Sequence, residues 1–535
     1  MISVSRSSEA WLGAALLTSL AVFVWIASIE LGSYEDRVLH VDEWYFASCA
    51  ARGSATGEFP IASCHDNKAP LIYWLYQIVH LGKPHYDLPA IKGAAFVTVG
   101  LIGVLAAALG YRLGGLPAGI VAPLLISLSM GRDASFLALK TETVGSVFVL
   151  GLALMASSPQ FREGRLRLFA AGFVAGLAVL TKQTFAFVAL ALMIWLLLVS
   201  RDRGLARWQD WARNSSVFGI GVLTPFLLSL AFFSLQGRGL DFLASFFLYP
   251  SVYGAAGADF FSRQLLWSAL AVLDVLAEYP LVTALACGSI GLTLVIAPKW
   301  AERTDGSMSL LLLLVALAHV TVLGLSPKFF DYHIIPLLVV MAVLGSWFVA
   351  RCMAALAAQA HGTEAAMAWV LLSAALLNAA HAIRHEGGRL SRTHYSSDPA
   401  RIEGSEGRYG YALAMWPQFY VANGIIPASN VQFPWALPGT PSSWAFVLPA
   451  RGSRTARMLE KIQQANLRTL MSDFERTPPS HILVAPRYAG GDQATGMTGV
   501  PQLNEYIRKN CLYSHSIQGQ SLGPGVIFNC LGASR

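Results

Sequence analysis

Trp11-Leu12-Gly13-Ala14-Ala15-Leu16-Leu17-Thr18-Ser19-Leu20-Ala21-Val22-Phe23-Val24-Trp25-Ile26-Ala27-Ser28-Ile29 carries no charged residue, and Val41-Asp42-Glu43-Trp44-Tyr45-Phe46-Ala47 follows shortly after it. About 20 apolar residues cross the hydrocarbon of a bilayer as one helix. The run is longer than the apolar core of a secretory signal and shows no small-x-small cleavage site, so it reads as a retained span. The acids behind it then stand at a membrane edge. Two adjacent carboxylates are costly to desolvate there and mark a functional position.

The rest of the chain repeats the first signal. Of 535 residues, 55% are hydrophobic and only 13% charged, with mean hydropathy +0.52. Soluble domains carry about 25% charged residues. Further apolar runs begin near Gly93, Leu116, Thr143, Leu168, Gln183, Val217, Leu281, Ser309, Ile334 and Ala366. With the first run they predict a polytopic α-helical membrane protein of about 11 transmembrane helices.

Loop charge sets the expected sidedness. Alternate short loops hold Arg112; Arg162, Arg165 and Arg167; Arg201, Arg203, Arg207 and Arg213; Lys299 and Arg303; and Arg351. The positive-inside rule makes these cytoplasmic, with the N-terminus beside them. The loop holding Asp42 and the C-terminal tail fall outside. These anchors account for the net charge of +7. Arginines are not interleaved with aromatics, so nucleic acid is not an expected partner.

The six cysteines suit that topology. Cys287 and Cys352 fall in or at the end of spans. Cys49 and Cys64 share the first outside loop, and Cys511 and Cys530 share the tail. An oxidising exterior permits two local disulfides, Cys49–Cys64 and Cys511–Cys530.

Three parts emerge. Residues 1–383 form the membrane domain. Within it, residues 32–92 are a long first external loop with helix-like stretches at 43–51 and 70–81. Trp44, Tyr45, Tyr73, Trp74 and Tyr76 suit an interfacial aromatic belt, so these helices are expected to lie along the membrane surface. Residues 236–263, rich in Phe, Tyr and Gly, are expected to be a loop, either a mobile one that contacts substrate or a plain connector. Residues 384–535 turn polar and are expected to form a soluble α/β domain, with strands at 444–448, 481–485 and 526–531 and helices at 455–465 and 503–509. No Gly-rich phosphate loop, CxxC, GxSxG or HExxH occurs, and no His, Cys, Asp or Glu set has convincing metal spacing.

Three short motifs carry a resemblance. They are Asp42-Glu43-Trp44-Tyr45-Phe46-Ala47, Asn67-Lys68-Ala69-Pro70-Leu71-Ile72-Tyr73-Trp74 and Lys328-Phe329-Phe330-Asp331-Tyr332-His333-Ile334-Ile335-Pro336. Together they resemble GT-C glycosyltransferases of the protein O-mannosyltransferase, lipid A aminoarabinose transferase and rhizobial galacturonosyltransferase group. The resemblance covers residues 11–351. It is reinforced by Leu180-Thr181-Lys182 and by Glu142, which stands where many members carry a second acid. Ala69 departs from the family's first proline. The resemblance implies a GT-C fold and a membrane enzyme that takes a sugar from a polyprenyl-phosphate donor. The acceptor would be an envelope glycan or glycolipid, such as lipopolysaccharide core or lipid A, on the periplasmic face of a bacterial inner membrane.

The chemistry agrees. A phosphate leaves well without an acid catalyst, whereas an acceptor hydroxyl needs a base. Cations must offset the charge that develops on the phosphate. Asp42 is the expected base. Glu43 points roughly 100° away on a helix and is expected to bind acceptor or support the loop. The pair also suits the first turn of a helix. Lys68 is the first expected phosphate ligand, with Lys182, Lys328 and Arg132 as further ones; each also suits a headgroup anchor. Glu142 either orients the acceptor or pairs with Lys140 or Lys182. Tyr73, Tyr332 and His333 complete the expected substrate contacts, and His333 equally suits a bundle histidine. No metal or other cofactor is expected. The competing readings are a flippase or transporter of lipid-linked sugars, a protein O-glycosyltransferase, and a non-enzymatic glycan-binding scaffold. A transporter would place charges deep in its spans, whereas these residues gather at one membrane edge.

Overall fold

The computed structural model describes residues 20, 23, 41–58, 64, 68–130, 134–158, 160–161, 164–199, 204–250, 272–273, 276–296, 304–325, 331–359, 402–414, 418–432, 437–439, 454–485, 490, 497–519 and 523–530. The chain divides into two compact units. One comprises residues 1–34, 92–229 and 262–391; the other comprises 35–91, 230–261 and 392–535. The first external loop thus shares a unit with the tail.

In chain order the helices are α1 (Val41–Thr56), α2 (Leu71–Val79), α3 (Leu88–Met130), α4 (Thr141–Ala156), α5 (Arg165–Thr181), α6 (Ala186–Leu198), α7 (Gly204–Leu235), α8 (Gly239–Leu243), α9 (Pro280–Ile296), α10 (Thr304–Leu325) and α11 (Ile335–Gln359). Among the described residues four helices are long and apolar enough to cross a membrane: Leu88–Ser129, Ala206–Leu235, Ser307–Gly324 and Tyr332–Ala355. Shorter apolar helices occupy Thr141–Ala156, Gln183–Leu198, Gly239–Leu248 and Pro280–Thr293. The expected spans at 11–29 and from Ala366 lie almost wholly outside the described residues.

The runs expected from Gly93 and Leu116 form one element with a break. Gly114 and Gly115 leave helical geometry, Gly115 at φ 70°. A Cβ on Gly110 would stand 2.6 Å from the Ala118 carbonyl oxygen, and one on Gly119 would stand 3.1 Å from that of Ala107. Residues 12 apart are about 18 Å apart along a straight helix, so the chain doubles back here. Only glycine reaches such a φ without strain.

In the membrane unit α11 is the central helix. In its most apolar window 83% of residues are buried, against 28% for the span Ala206–Leu235. Leu337 to Leu344 are buried throughout, and Trp347 is fully buried. Helix α9 lies against α11, where Ser289 Oγ donates to the Leu344 carbonyl at 2.6 Å. Helices α5 and α7 approach through small residues. Cβ atoms on Gly172, Gly176 and Gly221 would lie 2.1–2.4 Å from backbone oxygens of the facing helix. Without a hydrophobic drive between helices in lipid, such close backbone approach is a main source of contact energy.

The second unit adds β1 (Tyr409–Leu413), α12 (Gln418–Ala422), β2 (Ile426–Pro427), α13 (Arg454–Arg476), β3 (His481–Val484), α14 (Pro501–Asn510), β4 (Cys511–Gly519) and β5 (Gly523–Cys530). The sheet order is β2-β1-β3-β5-β4; β1 is parallel to β2 and β3, while β5 is antiparallel to β3 and β4. Every residue of β3 is buried, as expected of a strand covered on both faces. Tyr411, Leu413, Phe474, Ile482, Leu503 and Ile507 pack on one side. Ala412, Phe419, Tyr420, Leu483 and Ile527 pack on the other.

The expected helices and strands at 481–485, 503–509 and 526–531 match β3, α14 and β5 to within a few residues. Helix α13 runs eleven residues beyond 465. The expected strand at 444–448 lies outside the described residues. The expected loop from 236 is a turn at 236–238 and is then helical as far as it is described: α8 continues into a π turn, Ala244–Leu248. The reason is aromatic spacing. Phe242 stacks on Phe233 with centroids 5.4 Å apart and meets Phe246, one turn on, at 5.8 Å.

Candidate active site

Two groups of the expected residues can be described, one in each unit. Helix α1 begins with Asp42 and Glu43 in its first turn, where the exposed amides favour negative charge. Asp42 is half-buried and Glu43 is buried. Both fields reach the phenol of Tyr76. Burial pushes its pKa well above the ordinary value, and Glu43 and then Asp42 push it further. Phe46, one turn beyond Asp42, meets Tyr73 edge-on at 5.4 Å and Tyr76 at 5.6 Å. Tyr73 packs between α1 and α2 and is 2% exposed.

Lys68 is half-buried and precedes buried Ala69 and Pro70, which leads into α2. Trp74 on α2 stacks on Phe233 at the end of α7, with centroids 5.7 Å apart and planes within 3°. Cys49 and Cys64 are disulfide-bonded, with Cα atoms 5.3 Å apart. Cys511 and Cys530 are also bonded and lie opposite one another in the β4–β5 register. Both expected bridges are therefore present.

The tail supports α1 through polar contacts that sequence reasoning did not find. Arg52 is 2% exposed; it donates to the Pro427 carbonyl at 2.8 Å and lies 3.5 Å from both Glu58 and Asp473. Asp473 is also buried and accepts from Ser429 Oγ at 2.8 Å and from Arg476. Ser48 Oγ donates to Gln432 Oε1 at 2.7 Å. After α2 comes His80, 1% exposed, between the edges of Tyr76 and Tyr86. Burial lowers its pKa to about 4, against a raising effect of Asp87 and a further lowering by His85. Tyr86 in turn donates to the Ile425 carbonyl at 2.7 Å.

The second group lies in the membrane unit. Helix α4 starts after Lys140, whose amide donates to Thr143 Oγ1 at 3.0 Å. Glu142 is buried in the first turn; Lys182 Nζ donates to its Oε1 at 2.5 Å, and His333 Nε2 lies 3.6 Å from the same oxygen. Of the pairings open to Glu142 in the sequence, an ion pair with Lys182 is present. Lys182 leaves α5 in extended conformation and opens the 3₁₀ turn Gln183–Phe185. That turn is locked by packing. A Cβ on Gly145, one turn beyond Glu142, would stand 2.1 Å from two ring carbons of Phe185. Lys140 is fully buried with Nζ 3.9 Å from the Tyr332 ring centroid, and Tyr332 meets His333 edge-on at 4.7 Å. Arg132 and Lys328 lie outside the described residues.

Lys182, Glu142, His333, Tyr332 and Lys140 thus form one cluster from three segments. The half-buried Lys182 ammonium meets one buried carboxylate, and the buried Lys140 ammonium lies over the adjoining Tyr332 ring; a cluster with more cations than acids is suited to an anion. Among the described residues no group of three or more His, Cys, Asp or Glu is disposed to hold a metal ion.

No protein-family profile matches the sequence, and no curated protein matches it. Solved structures do. ArnT from Cupriavidus metallidurans bound to undecaprenyl phosphate is similar over 97% of this chain and 98% of its own, with TM-score 0.55 and 13% identity. The same protein in the apo state matches over 98% of both chains, with TM-score 0.54 and 14% identity. The apo oligosaccharyltransferase of Archaeoglobus fulgidus matches over 98% of this chain and 75% of its own, with TM-score 0.52 and 12% identity. The chain accordingly shares the fold of these proteins, and four helices among its described residues are long and apolar enough to cross a membrane.

Proposed function

We propose that the protein is a membrane glycosyltransferase that moves one sugar from a polyprenyl-phosphate donor to an acceptor hydroxyl, with inversion. The observation that carries this reading is the likeness of fold, over nearly the whole chain, to ArnT bound to undecaprenyl phosphate. The acceptor is an envelope glycan or glycolipid, such as lipopolysaccharide core or lipid A. The reaction runs on the periplasmic face of a bacterial inner membrane, with about 11 spans and a cytoplasmic N-terminus.

Asp42 takes the proton from the acceptor hydroxyl as its oxygen attacks the anomeric carbon. The bond from that carbon to the phosphate oxygen breaks, and polyprenyl phosphate departs with the electron pair. Asp42 stands in the first turn of α1 and is half-buried, so its carboxylate keeps one side open to an acceptor. Glu43, buried, supports the loop. Lys68 and Lys182, with Lys328 and Arg132, bind the phosphate; Tyr332 and His333 line the ligand. Glu142 holds Lys182 in place and is released from it, in part, when phosphate arrives. Tyr73 contributes to the substrate contacts from its place between α1 and α2. The reaction as written needs no metal.

The test is incubation of purified protein with polyprenyl-phosphate sugars labelled in the sugar, with and without envelope acceptor lipids. Transfer of label to acceptor with stoichiometric release of polyprenyl phosphate supports the enzyme. Label that crosses vesicle membranes while still joined to its carrier supports a flippase instead.

A further inference from the structure

An ionisable side chain buried within an apolar span marks a site unless folding accounts for it. His319 is such a residue. It lies in the span Ser307–Gly324 and is 7% exposed. Its ring meets Phe185 edge-on, with centroids 5.8 Å apart and planes at 84°. Phe185 closes the turn that Lys182 opens, its amide donating to the Lys182 carbonyl at 3.0 Å. The Phe185 ring also fills the space left by Gly145. His319 therefore stands one ring away from the Lys182–Glu142 pair, close enough for the Lys182 charge to act on it.

Packing explains a ring at this position but not its nitrogen. Phenylalanine would meet Phe185 equally well. Yet His319 Nε2 is buried, and among the described residues no hydrogen-bond partner reaches it. Buried polar atoms are nearly always bonded, and leaving one unmade is destabilising. A polar atom kept at that expense against Phe185, whose turn carries the cation paired with Glu142, fits a partner that arrives with a ligand.

We propose that His319 is a further donor-binding residue, its imidazole Nε2–H hydrogen-bonding a phosphate oxygen of the polyprenyl-phosphate ligand drawn in by Lys182. This rests on the glycosyltransferase reading above. The neutral imidazole carries one N–H and needs no proton transfer for this role. The bond is to a charged acceptor, the stronger class.

The experiment measures binding of undecaprenyl phosphate, without sugar, to the purified full-length protein in detergent. The variants are His319→Phe, which keeps the ring and removes the nitrogen, and His319→Gln, which keeps a donor. His319→Phe is expected to weaken binding about ten- to a hundredfold, with an unchanged or higher unfolding midpoint. His319→Gln is expected to recover most of that loss. His319→Phe binding within about threefold of wild type overturns the assignment, since a hydrogen bond to a charged group would be missing at no penalty. So does an equal loss in both variants accompanied by a lower midpoint, which would mark a packing role. Wild-type protein that binds no undecaprenyl phosphate overturns the glycosyltransferase reading itself, and this assignment with it.

Discussion

Arg52→Met tests whether the tail holds the helix that carries Asp42. Arg52 and Asp473 are 2% and 1% exposed and lie 3.5 Å apart. Removing one partner of a buried ion pair costs about 3–5 kcal/mol, because the other charge stays buried. Asp473 keeps Arg476, Ser429 Oγ and the Asn430 amide, so the lower end, about 3 kcal/mol, applies. For a unit of this size that is a fall of roughly 6–12 °C in midpoint. Thermal unfolding in detergent, followed by tryptophan fluorescence, reads it. Sugar transfer should fall in parallel, because α1 loses its bond to the Pro427 carbonyl. Replacing both partners, Arg52→Met with Asp473→Leu, should recover much of the stability, since an apolar pair of similar volume leaves no buried charge. A midpoint for Arg52→Met within about 2 °C of wild type would refute the reasoning, as would a double variant as unstable as the sum of the singles.

Three further outcomes are expected. His80 has a folded pKa of about 4 against 6.5, so below pH 6.5 the unfolded chain binds a proton that the folded chain does not. Stability falls as pH drops from 6.5 towards 4, by up to about 3 kcal/mol, and His80→Leu should flatten that part of a midpoint-versus-pH curve. Gly145→Ala places a methyl 2.1 Å from the Phe185 ring; overpacking of this kind costs about 1–3 kcal/mol, and displacement of Lys182 should raise the donor KM more than it lowers kcat. Cys511→Ser with Cys530→Ser should destabilise the second unit by about 3 kcal/mol in the chain-entropy view, seen as a lower midpoint that wild-type protein reaches only when reduced.

Much of the fold was legible because its signals are local. Uncharged runs marked the helices, and Gly114-Gly115 fell between two of them. The cysteines paired with near neighbours in the chain, and β3, α14 and β5 stood out by composition. The strand β1 did not. Tyr409-Gly410-Tyr411-Ala412-Leu413 is short and contains glycine, and its parallel partner β3 lies some 70 residues on, so no hairpin signal announces it. The turn at 236–238 matches the expected loop, whereas 239–250 is helical, as the spacing of four from Phe242 to Phe246 favours and composition alone does not show.

At the candidate site, the acids of α1 and the Glu142–Lys182 alternative were readable, since charges at span ends are conspicuous. Arg52 was not: its partner Asp473 lies in another part of the chain, and an arginine in a loop looks ordinary until its burial is known. His319 did leave a signal, a lone histidine in an otherwise apolar run, which went unused because single histidines in bundles are common.

The central claim is that Asp42 deprotonates the acceptor in sugar transfer from a polyprenyl-phosphate donor. The most direct measurement compares wild-type protein with Asp42→Asn in release of polyprenyl phosphate from a labelled polyprenyl-phosphate sugar in the presence of acceptor lipid, with donor binding measured on the same samples. The account predicts release by wild type, a loss of about 10²–10⁴-fold in Asp42→Asn and unchanged donor affinity. Release by Asp42→Asn at the wild-type rate would contradict it.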